Sequence, residues 1–102
     1  MREEIILTGI IVEESTFFTL EELSHASGKP HEWIVALVEE GVIEPVVNRR
    51  QDWLFQGYCL RRVRIIQRLE SDLGLNLPGA ALALQLLDEV ETLRNRIAVL
   101  ER

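Results

Sequence analysis

The chain has 102 residues, 47% of them hydrophobic, and a formal net charge of −6 from 17 Asp/Glu against 11 Lys/Arg. That length suits one domain with a modest core. The hydrophobic content excludes a disordered chain, and no apolar run approaches the ~18 residues a membrane-spanning helix needs.

The N-terminus, Met1-Arg2-Glu3-Glu4-Ile5, carries acids where a secretory signal carries basic residues. A single cysteine cannot form an internal disulfide, so a reducing, cytoplasmic setting without membrane association is expected. Cys59 sits among apolar neighbours and reads as a buried, inert thiol. Charge is unevenly spread. Residues 1–56 hold eleven acids and four basic residues, a net of −7; residues 57–73 hold four arginines and two acids, a net of +2; residues 74–102 come to −1. An acidic front half repels phosphate and attracts basic protein surfaces.

Ile5 to Val12 is short, apolar and β-branched, which predicts a strand. Thr19 opens a helix, with Glu22 three residues on completing a capping box. Leu20, Leu23 and Ala26 line its buried face, and Ser27-Gly28-Lys29-Pro30 ends it in a turn. A second helix is predicted from His31 to Glu40, with Trp33, Ile34, Leu37 and Val38 on one stripe and Gly41 at its left-handed end. Two short helices around a glycine-containing turn form a helix-turn-helix unit. Val42 to Val47 and Trp53-Leu54-Phe55 flank the polar Asn48 to Asp52, the pattern of a hairpin, or wing. A third helix follows from Tyr58 to Leu73, with Leu60, Val63, Ile66, Leu69 and Leu73 as its core stripe and Gly74 closing it. Asn76 caps a fourth that runs to the chain end, with Pro78 tolerated in its first turn.

The fourth helix carries two stripes. Ala83, Leu86, Val90, Leu93, Ile97 and Leu100 are spaced 3-4-3-4-3, an a/d seam that predicts a homodimer through Leu86, Val90, Leu93, Ile97 and Leu100. Ala80, Leu84 and Leu87 form a second stripe, expected to pack on the third helix. Val90 and Ile97 at one seam position with leucines at the other suit a parallel pair, although an antiparallel one would also bury them.

The would-be recognition helix carries Lys29 with Glu32, Glu39 and Glu40, a net of −2, and it begins His31-Glu32-Trp33. DNA reading favours Lys, Arg, Asn and Gln there, so no direct nucleic-acid contact is expected. The competing reading, a DNA-binding regulator, would use Arg49, Arg50 and the third helix. On that helix Arg61, Arg64 and Arg68 share a face while Arg62 projects differently; the face could bind phosphate, or pair with Asp72, Asp88 or Glu89. His25 and His31 are not on one helical face and belong to no zinc-ligand pattern. No catalytic set, cofactor or metal is expected. Trp33 and Trp53 read as core anchors.

The order helix-turn-helix, Glu40-Gly41-Val42-Ile43-Glu44-Pro45, arginine-rich helix resembles the MerR-type winged fold. With Trp53-Leu54-Phe55 and the run Leu77-Pro78-Gly79-Ala80-Ala81-Leu82-Ala83-Leu84 leading into Leu86-Leu87-Asp88-Glu89, residues 8–100 more closely resemble the CbpM family of chaperone modulators. The resemblance implies a non-enzymatic regulator that binds the J-domain of a CbpA-like co-chaperone. It further implies that such a protein blocks stimulation of the Hsp70 chaperone DnaK and restrains the co-chaperone's DNA binding. The J-domain presents a basic helix, for which an acidic protein could compete with DnaK. The expected architecture is one mainly α domain, residues 1–102. A MerR-like winged helix-turn-helix with small β elements (1–56) precedes two longer helices (57–102). The contact surface is expected to be acidic: Glu39 and Glu40 at the end of the second helix, with Asp88, Glu89 and Glu91 on the fourth.

Overall fold

The structure is a computed structural model that describes residues 4–7, 10–13, 16–47 and 49–102. The predicted strand Ile5–Val12 is two strands, β1 (Glu4–Leu7) and β2 (Ile10–Glu13), paired antiparallel with Leu7 opposite Ile10. Thr8 and Gly9, within the predicted strand, lie outside the described residues.

A strand not anticipated from the sequence, β3 (Phe17–Thr19), leads into helix α1 (Leu20–Ser27). The capping box forms as expected. Glu22 N–H donates to Thr19 Oγ1 at 3.1 Å and Thr19 N–H donates to Glu22 Oε1 at 2.9 Å. Thr19→Ala is expected to cost about 1 kcal/mol, read as a lower urea midpoint at unchanged slope, with Thr19→Ser close to wild type. Gly28 at φ +71° ends α1, and α2 (His31–Glu39) crosses it with Ile34 and Leu37 fully buried. Trp33 and Val38 pack at the core's edge.

The wing is smaller than predicted. Val42 and Ile43 plunge into the core at 5% and 2% exposure, and Pro45, which has no N–H to donate, blocks a continuous ladder. What remains is the bridge Val47↔Leu54, with Val46 N–H donating to Leu54 O at 2.8 Å, and a 3-10 turn at Arg50–Asp52. The tip residue Asn48 lies outside the described residues. Strand β4 (Leu54–Gln56) pairs instead with β3, Phe55 opposite Phe18.

Helices α3 (Tyr58–Leu73) and α4 (Leu77–Leu100) follow, joined by Gly74 at φ +67° and an Asn76 cap that accepts from Gly79 N–H at 2.9 Å. The core gathers Leu23, Ile34, Leu37, Phe55, Cys59, Val63 and Ile66 with Ala80 and Leu84. Two stripe members leave their predicted places. Leu73, in the last turn before Gly74, is 66% exposed, and Leu75 and Leu77 pack at that end in its stead. Leu87 is 51% exposed, because α4 is buried only as far as Leu84 and every residue from Glu89 onward is exposed. No helix among the described residues is long and apolar enough to cross a membrane.

Candidate interaction site

Helix α2 ends at a left-handed Gly41, φ +76°. Gly41 N–H then donates to Val38 O and Val42 N–H to Leu37 O, which turns the chain sharply after Glu39 and Glu40. The turn aims the Val42 carbonyl at α3, where Arg62 Nε donates to it at 2.6 Å. The same guanidinium forks onto α4, with Nη1 and Nη2 at 3.2 and 3.1 Å from the two oxygens of Asp88. One side chain thus ties together three elements, the turn after α2, α3 and α4. Glu39 and Glu40 stand exposed two or three residues from Val42, while Asp88 is held from the other side. A bidentate guanidinium–carboxylate pair is among the stronger side-chain contacts. Here the Arg62 side chain is 22% exposed and Asp88 48%.

The arrangement corrects the sequence reading of the arginines. Arg62, the one that projects away from its fellows, makes the pair with Asp88, while Arg61 lines the same groove without bonding to that carboxylate. Of the shared face, Arg68 reaches Asp72 at 3.7 Å on an exposed flank. Asp88 is therefore half engaged within the chain, and it shapes the surface more than it offers a free carboxylate. Glu91 joins it in a groove of about 430 Å³ between α3 and α4, floored by Ile65, Leu84 and Leu87 and rimmed by Arg61 and Arg94. Glu89 does not join them; at 100° per residue it falls on the opposite flank of α4.

Tyr58 was not anticipated. It is 42% exposed beside Arg61 and Asp88 at the mouth of a cleft that continues this groove, an aromatic anchor next to acidic groups. Desolvation, then the neighbouring Cys59, raises its phenol above the ordinary value. Its place at the first residue of α3, straight after Gly57, is the sequence signal that could have marked it. Cys59 beneath it is fully buried, and desolvation pushes the thiol up, which keeps it protonated and unreactive.

Three cations of the helix-turn-helix and wing are engaged locally. Lys29 lies over the Trp33 ring at 5.6 Å, Arg50 over Trp53 at 5.2 Å, and Arg49 stands 3.8 Å from Asp52. Both tryptophans serve as the expected anchors, Trp53 meeting Phe55 edge-on at 5.8 Å. Among the described residues no group of three or more His, Cys, Asp or Glu could hold a metal ion.

The seam residues stand free of their own domain: Leu86 is 56% exposed, Val90 43%, Leu93 52%, Ile97 54% and Leu100 83%.

Comparison with known proteins agrees with this architecture. The family described as MerR HTH family regulatory protein matches residues 18–102. The chaperone modulatory protein CbpM of Coxiella burnetii (strain Dugway 5J108-111) is 41% identical over 97 residues, covering 95% of this chain and 92% of that protein. Those of Citrobacter koseri and Pseudomonas entomophila are 35% and 32% identical, over 87% and 70% of this chain and 90% and 70% of their own lengths.

Proposed function

Since this chain belongs to the CbpM family of chaperone modulatory proteins, built on the MerR helix-turn-helix, we propose that it is a non-enzymatic modulator that binds the J-domain of a CbpA-like co-chaperone. Binding blocks that protein's co-chaperone activity and its DNA binding. The observation that supports this reading is the Arg62 link, which holds Asp88 beside Glu91 and Tyr58 and joins α4 to the turn that follows the exposed Glu39 and Glu40. A basic J-domain helix laid along these residues would be hidden from DnaK, so inhibition needs occupancy alone and no chemistry. Complementary charge sets orientation and on-rate, while apolar contact at Tyr58 and Leu87 supplies the lasting contact.

Calorimetric titration with the isolated J-domain of a CbpA-like co-chaperone tests this directly. One site per protomer is expected, with affinity that falls from low to moderate salt. The double variant Glu39→Lys/Glu40→Lys is expected to weaken binding roughly tenfold or more, since like charges then face each other. Absence of binding at both salts would refute the partner. Full affinity in the double variant would remove Glu39 and Glu40 from the contact.

A further inference from the structure

Four polar residues of α3, Arg64, Gln67, Arg68 and Ser71, recur at i, i+3, i+4 and i+7 and line a pocket of about 270 Å³. At 100° per residue they lie roughly 140–240° around the helix from Arg62, so the pocket is separate from the groove that faces α4. Two of its polar atoms are buried and unmatched among the described residues: Arg64 Nε has no acceptor and Gln67 Oε1 has no donor. The Gln67 amide is held in this orientation, because its Nε2 donates to Ser27 O at 2.7 Å. Leaving either atom unpaired costs the desolvation of a polar group. The Arg68 side chain is 69% exposed and reaches Asp72 at 3.7 Å, and Ser71 Oγ donates to the same carboxylate at 3.2 Å.

We propose that this pocket binds inorganic phosphate. Two guanidinium groups and a hydroxyl offer donors to an oxyanion, and charge-assisted bonds of this kind are strong. The pocket also lies in the basic stretch of the chain, residues 57–73, where four arginines face two acids. The unmatched pair of atoms decides which oxyanion fits. A carboxylate or a sulfate satisfies Arg64 but near neutral pH has no hydrogen to give Gln67 Oε1. Inorganic phosphate keeps a hydroxyl there, so it accepts from Arg64 Nε and donates to Gln67 Oε1 at once. A phosphate ester, whose second ionisation lies at about pH 6, has lost that hydrogen, and the free ion is the better match. Asp72 is the opposing group, and the ion competes with it for Arg68 and Ser71. Through Gln67 and Ser27 the ion also steadies the turn between α1 and α2.

Calorimetric titration of the full chain with sodium phosphate near neutral pH, at an ionic strength held constant with sodium chloride, tests the assignment. One site per chain is expected, and phosphate should bind at least about fivefold more tightly than sulfate, by the one extra hydrogen bond. Amide resonances that move on saturation should centre on residues 64–71 and Ser27. Arg64→Met should lower the affinity about tenfold or more, since a charge-assisted bond is lost, with an unchanged circular dichroism spectrum. Gln67→Met should erase the preference for phosphate over sulfate, a ratio that lost stability alone leaves intact. Asp72→Asn should tighten binding a few-fold by freeing Arg68 and Ser71, and Arg94→Met on α4 should change nothing. Adenosine monophosphate should bind more weakly than phosphate. No saturable binding of phosphate, equal affinity for sulfate, or full affinity in Arg64→Met would overturn the site. Tighter binding of adenosine monophosphate would overturn the free ion as its ligand.

Discussion

Phe55→Ala is expected to lower the free energy of unfolding by about 3–5 kcal/mol, a large share of the roughly 5–15 kcal/mol that holds such a domain together. Phe55 is fully buried on β4. It pairs with Phe18 across the two-stranded sheet and takes the edge of Trp53 at 5.8 Å. Its ring fills the space where that sheet closes over the helices, and the cavity left by alanine is walled by elements that cannot collapse onto it. Thermal unfolding monitored by circular dichroism checks the prediction. At roughly 4–8 °C per kcal/mol for a domain of this size, the melting temperature should fall by more than 10 °C. Phe55→Leu, which keeps most of the volume, should recover over half the loss. A fall of only a few degrees for alanine would mean that the sheet is not part of the cooperative core.

Arg62→Met carries the second large effect, about 2–3 kcal/mol. Methionine preserves the apolar stem but leaves the Val42 carbonyl without its 2.6 Å donor and Asp88 without its fork. The unpaired carbonyl accounts for most of the loss, because a desolvated acceptor costs about 1–3 kcal/mol. The ion pair contributes less, since Asp88 is half exposed and screened by solvent. Asp88→Asn should therefore cost under about 1 kcal/mol, and Arg62→Lys, which reaches one acceptor but cannot fork, should fall between. Urea titrations of the single variants and of Arg62→Met/Asp88→Asn give the coupling directly. Equal losses for Arg62→Met and Asp88→Asn would shift the weight from the carbonyl to the ion pair. The same variant should weaken J-domain binding without touching Glu39 or Glu40, because the end of α2 and the middle of α4 lose their common anchor.

The helical framework and its ends were legible in the chain. The Thr19–Glu22 box, the left-handed glycines at 28, 41 and 74, and the Asn76 cap each depend on groups three or four residues apart, so a short stretch of sequence contains both halves of each interaction. The aliphatic row of α4 was legible for the same reason, since its spacing is a property of one helix.

Choices between distant segments were not. The sequence offered Val42–Val47 as the neighbour of β4, yet β3 took most of that edge once Val42 and Ile43 were drawn into the core ahead of Pro45. Four arginines were available to Asp88, and packing of α3 on α4 selected Arg62 by direction rather than by charge. Glu89 was grouped with Asp88 and Glu91 by charge, although one residue is a rotation of 100° on a helix. Local hydrogen bonding and periodicity thus determined from sequence alone what each segment is. Which segments meet, and which single carboxylate or carbonyl a side chain finds, depended on how the faces interlock, because close packing rewards only side chains that point into a shared space.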